Sequence, residues 1–254
     1  MKRTSKELKS LSRDVLLGKF GIPMIVMLIS TLIPSLAIMP FDNFIDSPSF
    51  GNIIMFLLAT LIIELIGILL SAGTAKVHLS LVRGEPYSVG MLFSQFKNHP
   101  DRFIGASLLF FLIVIASMIP AFLITGLVSF LGGNNHIPAI VLGSVLASLF
   151  SVYVIIRFSL YPLLLVEHSE MGAIESLKES ARLTHGNVGR ILYIELSFIP
   201  FSILGGLSFG IGLLWIQPYM IQTTVNLYLD ITGDLDAVLE KRAHPAGEGF
   251  DYYA

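Results

Sequence analysis

The sequence predicts an all-α membrane protein with six transmembrane helices arranged as three hairpins and both termini in the cytoplasm. Three observations carry this prediction. Of 254 residues, 54 % are hydrophobic and 13 % are charged, against roughly 25 % charged in a soluble domain, and the mean hydropathy is +0.78. Six apolar runs each reach the length of about 20 residues that a helix needs to cross the hydrocarbon core. The sixteen Lys and Arg residues also fall in alternate segments between those runs: six before Phe20, four in 73–102, four in 157–190 and two in the tail. Segments 40–51 and 132–136, and the turn near 206–211, carry none. That alternation is the positive-inside pattern of a multi-pass protein.

The spans follow in order. Residues 20–39 form the first, read as a retained signal anchor because the run is longer than the apolar core of a cleaved leader. Residues 52–72 form the second, charged only at Glu64. Spans 103–131 and 137–156 carry no charge, and 191–207 carries only Glu195. The run 191–229 is read as two spans, 191–207 and 211–229. Gly205, Gly206, Gly210 and Gly212 supply a tight turn in its middle, and a single crossing would put Lys241 and Arg242 on the outer side. Residues 233–254 form a polar cytoplasmic tail, helical at first and then rich in Gly and Pro. The ten-residue alternation of a β-barrel is absent. With no cysteine, disulfides and thiolate metal sites are excluded.

A repeat is visible. Three times an amphipathic segment precedes a proline-bearing span, a short outer turn and a second span. The segments are built on Leu8, Leu11, Val15 and Leu16, on Met91, Leu92, Phe93 and Phe96, and on Ile174, Leu177, Ala181 and Leu183. They are expected to be helices lying at the cytoplasmic headgroup level. The prolines that follow are Pro34, Pro120 and Pro200.

Ionisable and polar groups inside a membrane are the first candidates for function, because each is costly unless paired or hydrated. Glu64 lies roughly 13 Å inside its span at 1.5 Å per residue. Glu195 and Arg157 lie near the inner ends of theirs, so a Glu64–Arg157 or Glu195–Arg157 pair is conceivable. The last span carries a polar stripe, Gln217, Gln222, Thr223, Thr224 and Asn226. Within it, Gln222 and Asn226 share a face, and Pro218 removes a backbone hydrogen bond beside them. Two explanations stay open for all six candidates, Glu64, Arg157, Glu195, Gln217, Gln222 and Asn226. One is a site for a proton, a cation or an amphiphile headgroup, and the other is a set of interhelical contacts with snorkelling ends. The histidines (78, 99, 136, 168, 185 and 244) have no metal-ligand spacing, no phosphate-binding glycine loop or nucleophile elbow occurs, and Asp42 and Asp46 read as a solvated outer loop. No metal, cofactor, nucleic-acid partner or catalytic residue is expected.

Several stretches resemble a bacterial membrane-protein family catalogued as domain of unknown function 975. They are Arg13 with Gly18-Lys19-Phe20-Gly21, Leu81-Val82-Arg83-Gly84-Glu85, Leu92-Phe93-Ser94-Gln95-Phe96-Lys97 and Arg157-Phe158-Ser159-Leu160-Tyr161-Pro162. Further matches are Gly172-Ala173-Ile174-Glu175-Ser176-Leu177, Glu195-Leu196-Ser197-Phe198-Ile199, and Gly210-Ile211-Gly212-Leu213-Leu214-Trp215 with Pro218-Tyr219. The resemblance runs from about residue 5 to 232 and departs from the family wording at Ile199-Pro200-Phe201. It implies an integral protein of the bacterial plasma membrane with no established activity, distantly similar to the membrane part of glycerophosphodiester phosphodiesterases. The expectation is a non-enzymatic protein that binds a lipid or other amphiphile, or that serves as an accessory subunit of an envelope or transport complex. A small secondary transporter using Glu64 is the alternative.

Overall fold

The computed structural model describes residues 2–41, 49–131 and 137–243. Asp42, Asp46, His136, His244 and the end of the tail lie outside them. The described residues contain helices and no strand. They divide into two compact units, residues 1–100 with 193–254, and residues 101–192.

The first unit opens with α1 (Ser5–Leu16), started by a capping box. The Thr4 hydroxyl accepts from the Glu7 N–H at 3.3 Å, and the Thr4 N–H donates to the Glu7 carboxylate at 2.6 Å. Two of the donors that a helix start leaves unsatisfied are thereby paired. The Thr4 backbone and then its hydroxyl hold the Glu7 carboxyl below its usual range. Gly18, at φ +71°, turns the chain into α2 (Gly21–Ile38). Next comes α3 (Phe50–Arg83), stopped by Gly84 at φ +70°, a left-handed position that favours glycine. The helix is 34 residues long, about 51 Å at 1.5 Å per residue, and exceeds a hydrocarbon core of about 30 Å. It therefore runs well beyond the expected end at residue 72. No breaker occurs before Gly84, and the Leu69–Val82 stretch is largely buried in protein, whereas the Phe50–Ile62 stretch leaves most large apolar side chains exposed.

The second amphipathic segment forms a 3₁₀ helix, Val89–Phe96, instead of the expected α-helix. Only Leu92 and Gln95 are buried in it, a three-residue spacing that matches the 3₁₀ period. It lies against Gly73 of α3. A Cβ built there would lie 2.7 Å from the Leu92 Cα and closer still to its carbonyl. Val26, Leu70, Val77 and Leu92 form a core where α2, α3 and this segment meet.

The remainder of this unit follows residue 193. The expected fifth span is broken into α8 (Val188–Leu196) and α9 (Ile199–Leu207). Pro200 sits at the start of α9, where its missing N–H breaks the ladder. The boundary between the units falls inside α8. A turn with Phe209 at φ +54° and Gly210 at φ +84° reverses the chain, and Gly205 and Gly212 approach so closely that a Cβ on Gly212 would lie 3.0 Å from the Gly205 Cα. Next comes α10 (Leu213–Thr232), which packs on α9, α1, α2 and α3. Last is α11 (Leu235–Ala243), set against α3 and α10.

In the second unit, α4 (Pro100–Leu131) and α5 (Ile137–Phe158) are followed by the short α6 (Tyr161–Glu167) and by α7 (Ala173–Thr184). Arg102 of α4 donates to the carbonyls of His168 and Met171 at 2.9 and 3.0 Å, clasping the α6–α7 turn. The helix breaks at Ser159 and Leu160, between α5 and α6 and just before Pro162, which leaves the Arg157 carbonyl and the Leu160 N–H outside the helical ladder. Helix α7 satisfies both. The Ser180 hydroxyl donates to the Arg157 carbonyl at 3.3 Å and accepts from the Leu160 N–H at 3.2 Å, and the Thr184 hydroxyl lies 2.9 Å from the same carbonyl.

The structure fixes a register for the repeat that apolar spacing leaves open. Both α1 and α7 have 12 residues, with Glu7 and Glu175 third, Ser12 and Ser180 eighth and fully buried, and Gly18 and Gly186 left-handed two residues past the end. Each amphipathic segment packs on a preceding long helix: Val89–Phe96 on α3, and α7 on α5. The exception is α1, which packs on a later helix, α10.

Two outcomes are expected. Replacing Gly73 with Ala forces backbone against backbone and lowers stability by about 3 kcal/mol, the upper end of ordinary overpacking; a thermal melt in detergent checks it. Ser180→Ala orphans the Leu160 N–H at a cost of about 1–3 kcal/mol. Hydrogen exchange at Leu160 should accelerate, and unchanged protection there would sink this account of the helix break.

Candidate functional site

The polar stripe on α10 turns inward. Gln222, Thr223 and Asn226 are fully buried, and so are Ser12 of α1 and His78 of α3. Four of these residues form one chain of hydrogen bonds. The His78 Nδ1 lies 2.9 Å from the Gln222 Oε1, and the Gln222 Nε2 lies 3.2 Å from the Asn226 Oδ1. The Asn226 Nδ2 lies 2.9 Å from the Ser12 Oγ, which lies 2.7 Å from the Leu8 carbonyl. A carbonyl only accepts, so Ser12 donates to Leu8 and takes a hydrogen from the Asn226 amide. The Asn226 oxygen therefore faces the Gln222 amide, whose own oxygen requires a hydrogen on the His78 Nδ1. The backbone of one helix thus fixes the tautomer of an imidazole two helices away. In neutral His78 the other ring nitrogen, Nε2, is a buried acceptor with no hydrogen-bond partner among the described residues.

This cluster unites two sequence candidates, Gln222 and Asn226, with two residues that sequence reasoning did not select. Ser12 was hidden among surface-like charges, although its register with Ser180 was available in the sequence. His78 has no metal-ligand spacing and lies beyond residue 72, where the sequence reading ends the second span. Gln217 sits half-buried one turn into α10, away from these bonds. Glu64 is exposed on the face of α3 that also carries Phe50, Ile53, Leu57 and Leu61. Glu195 is exposed on α8. Arg157 belongs to the second unit, where its guanidinium donates to the Thr184 hydroxyl at 3.4 Å.

A second cluster in the first unit joins α1 to the broken span. The Lys9 ammonium stands 4.1 Å above the Phe198 ring centroid and 3.4 Å from the Ser197 carbonyl, with the Phe201 ring at 5.7 Å. Tyr219 of α10 meets Phe198 edge-on at 5.3 Å. Partial burial lowers the Lys9 pKa from its ordinary value. At the other end of α1, Arg3 pairs with both Asp230 and Asp236. Beside α11, an open cavity of about 370 Å³ is lined by Arg83, Glu85, Asp234 and Lys241.

The apolar stripe of α1 is thus covered by protein. Leu8, Val15 and Leu16 are buried, so this helix does not need to dip an apolar face into lipid. The same bonding predicts a coupling. Asn226→Leu removes one donor and one acceptor from a closed chain, costing about 1–3 kcal/mol for each group left unsatisfied. Ser12→Ala added to it should cost less than it does alone, by at least about 0.5 kcal/mol. Additive losses in chemical denaturation would show that Ser12 and Asn226 do not act together.

No curated protein and no solved structure matches this sequence. Residues 1–234 match a family described as protein of unknown function, DUF975. Five helices among the described residues are long and apolar enough to cross a membrane, and the match covers nearly the whole chain, which therefore belongs to the DUF975 family.

Proposed function

We propose that this protein is a non-catalytic, six-span component of the bacterial plasma membrane that binds an amphiphile, either alone or as an accessory subunit of an envelope or transport complex. Both termini lie in the cytoplasm in this reading. It counts α10 as the sixth crossing, although its inward polar residues make it the least apolar of the long helices. The observation that carries the proposal is a division within the first unit. The polar groups of α10 are bonded to α1 and α3, while Leu32, Leu36, Leu57, Leu61, Leu204 and Leu207 on α2, α3 and α9 stay uncovered. Side chains of that kind are solvated by acyl chains, and the packed end provides a rigid base for them.

The position of Glu64 favours the carrier alternative. A carboxyl on an exposed apolar face deep in a long helix is costly unless something binds it. One experiment separates the two readings: mass spectrometry of what co-purifies with the native chain and with Glu64→Gln. Lipid or a protein partner retained equally by both supports the amphiphile-binding or accessory reading. A defined solute lost with the glutamine variant, together with loss of proton- or sodium-dependent flux, overturns it in favour of a carrier.

A further inference from the structure

The outward face of α1 differs in kind from the face it buries. Lys6, Lys9 and Arg13 stand at i, i+3 and i+7, so they form one stripe along the helix. The acids of α1, Glu7 and Asp14, lie around the helix from them; among the described residues, the acidic contact on the stripe is a 3.9 Å approach of Asp14 to the Arg13 guanidinium, both side chains well exposed. Pairs of that type contribute little. Past the helix end, Leu17 is 73 % exposed and Lys19 is exposed beside it.

The stripe is held at a defined level. Lys9 is fixed over Phe198 at the break between α8 and α9. Phe198 and Phe201 stand at the start of α9, with Tyr219 of α10 packed against Phe198, and aromatic side chains of this kind are enriched where hydrocarbon meets headgroups. Cations anchored on such a belt meet phosphate groups, and an exposed leucine at the end of the row can enter the acyl region below.

We infer that α1 is a binding surface for anionic phospholipid headgroups, read by Lys6, Lys9, Arg13 and Lys19 above the Phe198–Tyr219 aromatic pair. This rests on the amphiphile-binding reading and narrows it to one lipid class at one place. Contact is electrostatic, because the apolar face of α1 is already used. It is therefore sensitive to ionic strength, with screening over about 10 Å at 0.1 M salt.

The test uses the full chain, delipidated in neutral detergent and titrated with phosphatidylglycerol or phosphatidylcholine under native mass spectrometry. The native chain should prefer phosphatidylglycerol. The variant K6Q/R13Q spares the structural Lys9 and should lose roughly fivefold in that preference for each charge removed, at one contact's worth per basic residue. Its melting temperature and phosphatidylcholine binding should not change. K97Q/K178Q removes the same charge from other exposed positions and should keep the preference. Equal losses in both variants, or none in K6Q/R13Q, overturn the assignment to α1. Displacement of the lipid by inorganic phosphate would also overturn it, in favour of a soluble anion site. Equal binding of both lipids by the native chain refutes the anionic preference and leaves the amphiphile reading standing, whereas retention of neither lipid refutes both.

Discussion

The hydrogen-bond chain from the Leu8 carbonyl through Ser12, Asn226 and Gln222 to His78 is the constraint around which the first unit is arranged. Burying two amides, an imidazole and a hydroxyl is tolerable only when nearly every donor and acceptor finds a partner. The partners come from three helices, so α1, α3 and α10 are held in one register. Slipping any of them by a residue would bring a leucine or valine opposite an amide and leave several buried groups unpaired. The apolar contacts around Val26, Leu70, Val77 and Leu92 supply cohesion but select a register less sharply.

The second unit solves a related problem with other residues. A broken helix leaves backbone groups at Arg157 and Leu160 unpaired, and an amphipathic helix lends them hydroxyls. In the first unit the break before Pro200 receives the ammonium of Lys9 at the Ser197 carbonyl and the adjacent ring. In both units an amphipathic helix from outside the apolar run stabilises an irregular stretch of backbone. Backbone groups released by a break in a helix and shielded from water need partners of this kind.

Much of this was legible in the sequence, for identifiable reasons. The apolar runs and the glycine-rich turn near 205–212 follow from length and backbone freedom, and the start of α1 is written in Thr4 and Glu7. The extent of α3 was not legible, because Lys76 and His78 look like the end of a span until Gly84 is recognised as the true stop. The 3₁₀ geometry of Val89–Phe96 depends on the close approach at Gly73, which is a tertiary fact. Of the site candidates, Gln222 and Asn226 were found because two amides on one face of an apolar helix are conspicuous. Ser12 and His78 acquire meaning only through those amides. Glu64, the most conspicuous charge in the sequence, joins no such cluster.

The pairing of α1 with α10 also sets an order of events. Ser12 and Asn226 are 214 residues apart, so α1 cannot reach its permanent position until synthesis has passed residue 226. Until then Leu8, Val15 and Leu16 face water or the membrane surface, and the amides of α10 have nothing to bond. Local hairpins can form as they emerge, but closure between α1 and α10 is a late, long-range step, of the kind that loop entropy makes slow. A nascent chain that stalls before residue 226 would hold α1 through α9 and still lack the bond that locks α1.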